Sequence, residues 1–550
     1  MRGTGRRPRS RGQRGEDGDM QPSEQLIEAP TTDGPTTATA PGGAARRLET
    51  AAERWDRIPA IATGEDYLAS IRDRGTTLYL FGERLDEPAD HPIIQPSINA
   101  LKATYDLAID EPELATAHSS LIDAPVNRFL HVVESPDDLI AKHQMQRRLG
   151  QLTGTCFQRC TGLDTISVLH SVTYDVDRDH GTGYHRRYLE FLKQAQRKNV
   201  LIAAGMTDPK GDRSKPPHQQ ADPDLFLHVS GRNEQGIFLR GAKAHMTGGW
   251  NQHWICVLPT MNLREQDRDY AVVALLPGDA EGLTYVYGRQ ASDTRAMEPG
   301  TIDKGNACFG GQEVLVHFDD VFVPWEHVLL DGETEVAQKL VSRFTAYHRA
   351  SYVCKTGLGD VMTGAAAEIA DQNGVAAAAH VRDKLVEMVH LNETIYSSSI
   401  ASAARATKLD SGIWMNDEML ANVCKHNVTR FPYEIARLAQ DLAGGIVVTM
   451  PSEADFRSEA VGPLLERMLA GRADVSTEDR MRILRLIENL TLGRNAVGYL
   501  TESLHGAGSP QGQRIQILRG AQLEEKRGLA RALAGILPPE QGDAASVGAP

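Results

Sequence analysis

The sequence predicts an α+β fold in which an N-terminal helical domain, a middle β barrel and a C-terminal helix bundle follow one another. Apolar residues recur at helical spacing in the first and last thirds of the chain, and at every second position between them. With 550 residues, 41% of them hydrophobic, the chain exceeds what one domain usually holds. The expected parts are a disordered tail (1–50), the N-terminal helical domain (51–197), the middle β domain (198–332), the C-terminal helix bundle (333–538) and a second disordered tail (539–550).

Both tails are expected to be disordered because they contain few large apolar residues whose burial would offset the cost of ordering. The paired arginines near the N-terminus are not followed by the apolar segment of a secretory or twin-arginine signal. No run approaches the roughly 20 apolar residues of a membrane span. The net charge of -14, without a basic stripe, argues against nucleic acid. We therefore expect a cytoplasmic protein without membrane or nucleic-acid partners.

Each of the three ordered parts has its own signals. Helix starts are predicted at Thr63, before Gly-Glu-Asp, and at Ser135, before Pro-Asp-Asp. Six alternating segments predict the strands of the barrel: FLHVS, GIFLRGAKAHMT, HWICVLPT, YAVVALLPG, LTYVYG and EVLVHFDDVFVP. Long amphipathic stretches such as TEDRMRILRLIENLTLG predict the closing bundle. By analogy of order alone, this is the outline of the acyl-CoA dehydrogenase scaffold, which binds flavin between its β domain and its bundle.

The segment TGTCFQRCTG carries a pair of cysteines. Cys156 and Cys160 are four residues apart, so they share a face if the segment is helical, and both thiolates could then reach one metal centre. The alternative is a pair of small core residues in a reduced protein. Six cysteines scattered over a long chain are typical of a reducing compartment.

A second cluster lies in RFTAYHRASYVCK, which places His348, Tyr352, Cys354 and Lys355 within two turns. Three cysteines and a histidine could complete an iron-sulfur or zinc site. Tyr352 follows His348 by four residues, which suits a phenol and imidazole acid/base pair on one helix face. The alternative is an amphipathic helix whose histidine and tyrosine are satisfied core groups.

The segments MTDPKGDRSKPP and RGAKAHMTGGW form a third candidate site. His245 and Thr247 lie in the second segment, where glycine and hydroxyl groups at a strand end suit the close approach of a flat ring and its phosphates. A solvated hairpin connection would use the same residue types.

The ordered chain, about residues 66–536, resembles 4-hydroxybutyryl-CoA dehydratase and its relative, the 4-hydroxyphenylacetate 3-hydroxylase oxygenase. The resemblance lies in MTDPKGDRS, ADPDLF, RGAKAHMTG, RFTAYHR, LVEMVHLNETIY, NVTRFPYEIARLAQDLAGG, TMPSE, TEDRMRILRLIENLTLG and TESLHGAGSPQ. The pair Cys156 and Cys160 favours the dehydratase, since the hydroxylases use flavin without a cluster.

This resemblance implies FAD, a [4Fe-4S] cluster, an acyl-CoA substrate and a homotetramer. The implied cluster ligands are Cys156, Cys160, His348 and Cys354. The implied catalytic and supporting groups are His348 as base, Tyr352, Glu502, Lys355, Gln158 and Glu313. The implied flavin-binding residues are Met206, Thr207, Asp208, Lys210, Arg213, His245 and Thr247, together with Gly444 and Gly445 reaching the flavin of a neighbouring subunit.

One spacing departs from the family pattern. In the family, six residues separate the histidine from the third cysteine, whereas here five separate His348 from Cys354. At about 100° per residue, this leaves the two side chains about 120° apart on an undistorted helix. We expect the helix to be distorted at Tyr352 and Val353 if both are to reach one cluster.

The implied reaction is radical dehydration of 4-hydroxybutyryl-CoA to crotonyl-CoA, with isomerisation of vinylacetyl-CoA to the same product. His348 would remove the α proton, the flavin would provide transient oxidation and the cluster a Lewis acid for the leaving hydroxyl. The alternatives are a reduced-flavin-dependent aromatic 3-monooxygenase, in which the cysteines are structural, and a flavin-binding paralogue without catalysis.

Overall fold

The computed structural model describes residues 49–259 and 262–536, together with two short strands, β1 (Thr37–Thr39) and β2 (Ala45–Arg47). Strands β1 and β2 pair with each other in antiparallel fashion. The disordered tails predicted at 1–50 and 539–550 otherwise lie outside the described residues, apart from residues 49–50.

The region from 51 to 198 is mainly helical. Its helices are α1 (Ala51–Arg57), α2 (Gly64–Ile71), α3 (Gln95–Asp110), α4 (Pro112–Ala115), α5 (Pro136–Thr153), α6 (Cys160–His180) and α7 (Tyr184–Lys198). The predicted caps are present, because the side chains of Thr63 and Ser135 accept hydrogen bonds from the backbone of α2 and α5. The region is not all-helical as predicted, since it also contains β3 (Thr77–Leu80), β4 (Glu83–Arg84), β5 (Thr116–Ser119) and β6 (Ala124–Asn127).

All six predicted strands of the middle region are present, and two more join them. The strands are β7 (Ile202–Gly205), β8 (His228–Arg232), β9 (Gly236–Thr247), β10 (Trp254–Val257), β11 (Val272–Pro277), β12 (Leu283–Tyr287), β13 (Glu313–Pro324) and β14 (Val328–Asp331). They form a four-stranded sheet in the order β14-β11-β10-β7 and a six-stranded sheet in the order β4-β3-β12-β13-β9-β8.

The predicted β barrel is therefore wrong in detail, because the described strands form two separate sheets rather than a closed one. Apolar side chains of both sheets share one core, which contains Ala203 and Ile255 from the smaller sheet and Leu239 and Val316 from the larger one. The opposite face of the smaller sheet, including Trp254, packs on helices α6 and α7. The smaller sheet is thus buried on both faces, as its continuous apolar strands indicate.

The last part of the chain is helical. Its elements are α8 (Val336–Ser351), α9 (Cys354–Gln372), α10 (Ala379–Ala404), β15 (Thr407–Lys408), β16 (Trp414–Met415), α11 (Glu418–Val428), α12 (Phe431–Ala443), α13 (Ile446–Thr449), α14 (Glu453–Phe456), α15 (Gly462–Met468), α16 (Thr477–Thr491), a π-helical turn (Val497–Thr501), α17 (Glu502–His505), α18 (Pro510–Gly520) and α19 (Leu523–Leu533). Across the residues with described structure, no helix is both long and apolar enough to cross a membrane.

Helices α5 and α9 cross at two glycines, Gly150 and Gly357, close to the start of α9. A Cβ atom on Gly357 would lie 2.1 Å from the carbonyl oxygen of Arg147, and one on Gly150 would lie 2.5 Å from the carbonyl oxygen of Cys354. Both obstacles are backbone atoms, which cannot rotate away. The close crossing therefore sets the position of Cys354 and the residues that follow it.

Substitution Gly357→Ala is expected to push α5 and α9 apart and lower the free energy of unfolding by about 1–3 kcal/mol. The matched control is Gly364→Ala on the same helix, where a Cβ meets nothing within 4 Å. Alanine there should be neutral or stabilising by up to about 1 kcal/mol, since it is the better helix former. Urea unfolding of both variants checks the prediction, and equal stabilities would contradict it.

Candidate active site

Three cysteine thiols lie next to one another where the front helices meet the bundle. Cys160 is the first residue of α6, whereas Cys156 lies in the loop before it. The expectation that the pair shares one helix face is therefore wrong. The loop brings the two thiols together instead, and Cys354, at the start of α9, forms a hydrogen bond with Cys160.

The helix carrying His348 is interrupted before Cys354, where the spacing of these two residues predicts a distortion. Helix α8 ends at Ser351 and α9 begins at Cys354. Across the junction, the N–H groups of residues 353, 355 and 356 each donate to the carbonyl oxygen three residues earlier. Such bonds are those of a 3₁₀ helix, which advances about 120° per residue rather than about 100°. Four such steps reduce the offset between His348 and Cys354 from about 120° to roughly 40°.

The surroundings of the three thiols shift their pKa values in different directions. The hydrogen bond from Cys160 lowers the pKa of Cys354, and the nearby ammonium of Lys355 acts in the same direction. Burial raises the pKa of Cys160 well above its usual value, and the same hydrogen bond adds to this. Burial also raises the pKa of Cys156, together with the negative charge of Glu502. In the absence of a metal, Cys354 is therefore the sulfur that most readily ionises.

His348 has only one ring nitrogen available to the site. Its Nδ1 lies 2.7 Å from Oδ2 of Asp164, a buried carboxylate on α6. The ring also stands edge-on to Tyr352, with 5.3 Å between the ring centroids. Because Nδ1 is engaged, the two roles implied for His348, metal ligand and base, both fall on Nε2, and it can serve only one of them at a time.

Two carboxylates meet beside the thiols, with a lysine and a threonine at their outer ends. Thr247, at the end of β9, donates its hydroxyl to Glu313 Oε1 at 2.6 Å. Glu313 forms a hydrogen bond with Glu502, which accepts another from Lys355 Nζ at 2.9 Å. Glu502 is the first residue after the π-helical turn, a distortion that often aims a functional side chain.

The two carboxylates are held in different protonation states. Burial raises the pKa of Glu313 well above its usual value, and the adjacent charge of Glu502 reinforces this. Burial acts in the same direction on Glu502, but the charge of Lys355 and the hydrogen bond from Glu313 outweigh it and lower its pKa. The site therefore has a neutral acid beside an ionised base, the pattern of a proton-transfer pair.

Tyr352 is buried between a glycine and a second lysine. A Cβ atom on Gly506 would lie 1.5 Å from the Tyr352 hydroxyl oxygen, so only glycine leaves room for the phenol. Lys425 Nζ lies 3.9 Å from the centre of the Tyr352 ring and donates to the carbonyl oxygen of Ser503. Burial raises the pKa of Tyr352 well above its usual value, so the phenol is a proton donor.

Gln158 lies close to the thiols, but its side chain is fully engaged with the protein. Its Nε2 donates to the carbonyl oxygens of Ser97 (3.0 Å) and Gly310 (3.4 Å), and its Oε1 accepts from Asn251 at 2.9 Å. Its backbone has a φ of 64°, which is uncommon outside glycine. These contacts fix the loop that presents Cys156.

The predicted flavin segment runs beside β9. The N–H of Ala244 donates to the carbonyl oxygen of Thr207 at 2.8 Å, which brings Met206 and Thr207 next to the strand. Asp208 pairs with Lys243 at 2.6 Å and so stabilises this arrangement. Lys210, Arg213 and His245 are exposed, whereas Met206, Thr207 and Thr247 are half-buried.

Gly444 and Gly445 lie at the end of α12 and are exposed. A Cβ atom on either residue would meet nothing within 4 Å, and Gly444 has a φ of 76°. No described contact joins these two glycines to the thiols of the same chain. The space next to both glycines is open.

Within 49–259 and 262–536, no group of three or more histidine, cysteine or acidic side chains converges closely enough to hold a single ion. All six cysteines are free, and three of them form the cluster described above. The donor chemistry, three neighbouring thiols of which Cys354 is buried and Cys156 and Cys160 are half-buried, fits an iron-sulfur cluster, whose several irons space their ligands more widely than one ion does.

Four contributors to the site were not predicted from the sequence: Asp164, Lys142, Ser351 and Lys425. Asp164 could have been found, because it follows Cys160 by four residues on one helix and so faces the same way. Lys142 and Lys425 are completely buried, which is rare for lysine. Nothing local in the sequence distinguishes them from solvated lysines.

Comparison with known proteins identifies the class. Two sequence profiles match, 4-hydroxyphenylacetate 3-hydroxylase N terminal over residues 63–330 and 4-hydroxyphenylacetate 3-hydroxylase C terminal over residues 337–535. The oxygenase component of 4-hydroxyphenylacetate 3-monooxygenase from Geobacillus sp. (strain PA-9) is 23% identical over 79% of this chain and 88% of its own. A crystal structure of such an oxygenase component complexed with FAD superposes with a TM-score of 0.76 at 21% identity, covering 86% of this chain and 98% of its own. Because the two profiles together match most of the chain, the protein belongs to the 4-hydroxyphenylacetate 3-hydroxylase class, and the superposition shows the same fold.

Two nearer relatives place the chain within that class. The 4-hydroxybutyryl-CoA dehydratase/vinylacetyl-CoA-Delta-isomerase of Clostridium aminobutyricum is 50% identical over 488 residues, which are 86% of this chain and 100% of the relative. The structure of an oxygen-tolerant archaeal 4-hydroxybutyryl-CoA dehydratase from N. maritimus is 59% identical, with a TM-score of 0.86 over 88% of this chain and 98% of its own. The chain belongs to the 4-hydroxybutyryl-CoA dehydratase family.

Proposed function

We propose that this protein dehydrates 4-hydroxybutyryl-CoA to crotonyl-CoA and isomerises vinylacetyl-CoA to the same product, using FAD and a [4Fe-4S] cluster. The observation that carries the proposal is the cluster of three thiols beside an unequally protonated pair of carboxylates. A hydroxylase that activates oxygen on flavin has no use for three neighbouring thiols. The high identity to two dehydratases supports the same assignment.

The proposed cofactors would be held by different parts of the chain. Cys156, Cys160, Cys354 and His348 would bind the cluster, and the segment 206–213 with His245 and Thr247 would bind the flavin. When bound, the flavin supplies one-electron transfer and the cluster a Lewis-acidic iron. The open space at Gly444 and Gly445 suits the approach of a neighbouring subunit's flavin and supports the proposal of a homotetramer. The predicted domain boundaries and cytoplasmic location stay predictions.

The net reaction defines what the protein groups must do. Conversion of 4-hydroxybutyryl-CoA to crotonyl-CoA removes hydrogen from C2 and C3 and hydroxide from C4, and returns a proton to C4. One proton forms water with the hydroxide. The site must therefore contain two proton acceptors and at least one donor, whereas isomerisation of vinylacetyl-CoA needs one of each.

The side chains of the site meet this requirement. His348 Nε2, when it is not bound to the cluster, would accept the proton from C2, and Glu502, ionised beside Lys355, would accept the second. Neutral Tyr352 carries a proton that can be returned, and neutral Glu313 stabilises ionised Glu502 by a hydrogen bond. Burial excludes water, so that protons move between these groups and the substrate rather than to solvent.

Anaerobic purification tests the proposal. The protein is expected to contain flavin and about four irons and four sulfides per subunit, and to convert both 4-hydroxybutyryl-CoA and vinylacetyl-CoA to crotonyl-CoA. Protein without iron and sulfide that hydroxylates a phenol with reduced flavin would instead be an aromatic monooxygenase. Flavin whose absorption spectrum responds to neither an acyl-CoA nor a phenol would identify a paralogue without catalysis.

A further inference from the structure

Asp164 contacts the Nδ1 side of the His348 ring. It is completely buried on α6. Its Oδ2 accepts from His348 Nδ1 at 2.7 Å, and its Oδ1 accepts from Ser351 Oγ at 3.0 Å and from the ammonium of Lys142. Three helices, α5, α6 and α8, thus contribute to one hydrogen-bonded group.

The donors around Asp164 determine the tautomer of His348. An ammonium has no acceptor, so the carboxyl oxygen facing Lys142 accepts, and an ionised carboxylate has no proton to give. Nδ1 of His348 must therefore carry the hydrogen in this pair. In the neutral imidazole this leaves the lone pair on Nε2, the only ring nitrogen available to the thiol cluster.

Lys142 also sets the charge of the arrangement. Its ammonium neutralises Asp164 within the interior, where an unpaired charge would be strongly destabilising. Asp164 and Lys142 thus form a neutral buried ion pair, and Asp164 is the member of that pair that orients His348. With both of its oxygens occupied, its side chain has no second orientation that keeps these contacts.

We propose that Asp164 is a positioning residue, which holds His348 in the tautomer protonated on Nδ1 and directs Nε2 towards the three thiols. The inference rests on the proposed function, because it concerns the histidine that would bind iron or accept the substrate proton. Carboxylates behind metal-binding histidines typically change metal affinity or activity by about 10–100-fold when removed.

The test compares Asp164→Asn with a matched control on the same helix. Asp175 is also a buried carboxylate of α6 and pairs with Arg343 (2.7 Å) and Lys339 (3.3 Å) of α8, but it has no contact with His348 among those described. Asp175→Asn therefore removes a similar buried pair between the same two helices. Its thermal unfolding temperature should fall, while kcat and iron content stay at the wild-type values.

Asp164→Asn is expected to lower kcat by about 100-fold and to reduce iron per subunit, with KM within about threefold and flavin retained. An asparagine that keeps its oxygen on Lys142 presents its NH2 group to His348 Nδ1, so the ring should either move or carry its hydrogen on Nε2. A crystal structure shows the ring position, and nitrogen-15 NMR of the iron-free protein shows the tautomer. Equal losses in Asp164→Asn and Asp175→Asn would overturn the proposal, as would wild-type kcat in Asp164→Asn or a ring with unchanged position and tautomer.

If Asp164→Asn does not fold, Asp164→Glu takes its place. Glutamate keeps the charge next to Lys142 but moves the carboxylate by one methylene relative to His348. Reduced kcat with normal flavin content supports the positioning role, and full kcat overturns it. Failure of the proposed function would look different, because wild-type protein would then lack iron and dehydratase activity, while the position and tautomer of the His348 ring in the variant would still decide the role of Asp164.

Discussion

Replacement of Cys354 by serine is expected to abolish both the dehydration of 4-hydroxybutyryl-CoA and the isomerisation of vinylacetyl-CoA. Among the three clustered thiols, Cys354 has the lowered pKa and the direct hydrogen bond to Cys160. A serine hydroxyl is a hard, protonated donor that does not replace a thiolate on iron. Iron should fall well below the roughly four atoms per subunit of a complete cluster, while flavin is retained.

The control for this variant is Cys424→Ser. Cys424 is also buried, and its sulfur donates to the carbonyl oxygen of Ile395 at 3.7 Å and forms hydrogen bonds with Ser398 and Ser399. Serine keeps that donor, so iron, flavin and activity should stay near the wild-type values. Iron and sulfide analysis with both CoA esters measures the difference, and a Cys354→Ser protein that keeps its iron and its activity would rule out the proposed cluster.

Local patterns predicted most of the elements but not how they associate. The six strands found by alternation are all present, because a side-chain period of two needs only neighbouring residues to be seen. Closure into a barrel depends on partners far apart in the chain. Strand β3, at Thr77–Leu80, pairs in parallel with β12, at Leu283–Tyr287, and no local signal announces that pairing. The two-sheet arrangement follows from such long-range strand pairings.

Local patterns also predicted only part of the candidate site. A spacing of six between His348 and Cys354 indicated a distorted helix, and the break between Ser351 and Cys354 lies where that spacing required it. In contrast, the helical reading of Cys156 and Cys160 was wrong, because Cys156 lies in a loop. Four-residue spacing states only what would be adjacent in a helix, not whether a helix forms.

Buried charges were the least predictable part of the site. Asp164 and Lys142 are buried as a pair, and Lys425 donates to a backbone carbonyl beneath the Tyr352 ring. Lysine and aspartate are usually solvated, and each of these could be assigned to a helix surface from composition alone. Tertiary contacts show that Lys142 compensates the charge of Asp164, whereas burial lowers the pKa of Lys425 well below its usual value.

Substitutions of the two paired carboxylates are expected to lower kcat by unequal factors. Glu502→Gln is expected to lower kcat by about 10²–10⁴-fold, because it removes the ionised base and leaves Lys355 without its carboxylate partner. Glu313→Gln should lower kcat by less than about tenfold. A glutamine amide can still accept from Thr247 and donate to Glu502, as the neutral acid does.

Measurement of kcat, KM, flavin content and thermal unfolding for the two variants separates chemistry from stability. Loss of a buried partner destabilises Glu502→Gln by about 3–5 kcal/mol, so activity is compared at a temperature where both variants are fully folded. A larger loss from Glu313→Gln would show that the proton is placed on Glu502, and equal losses would contradict the unequal protonation of the pair. The ratio of the two kcat values therefore reports which carboxylate is ionised in the enzyme-substrate complex, since an amide replaces a carboxylic acid well and a carboxylate poorly.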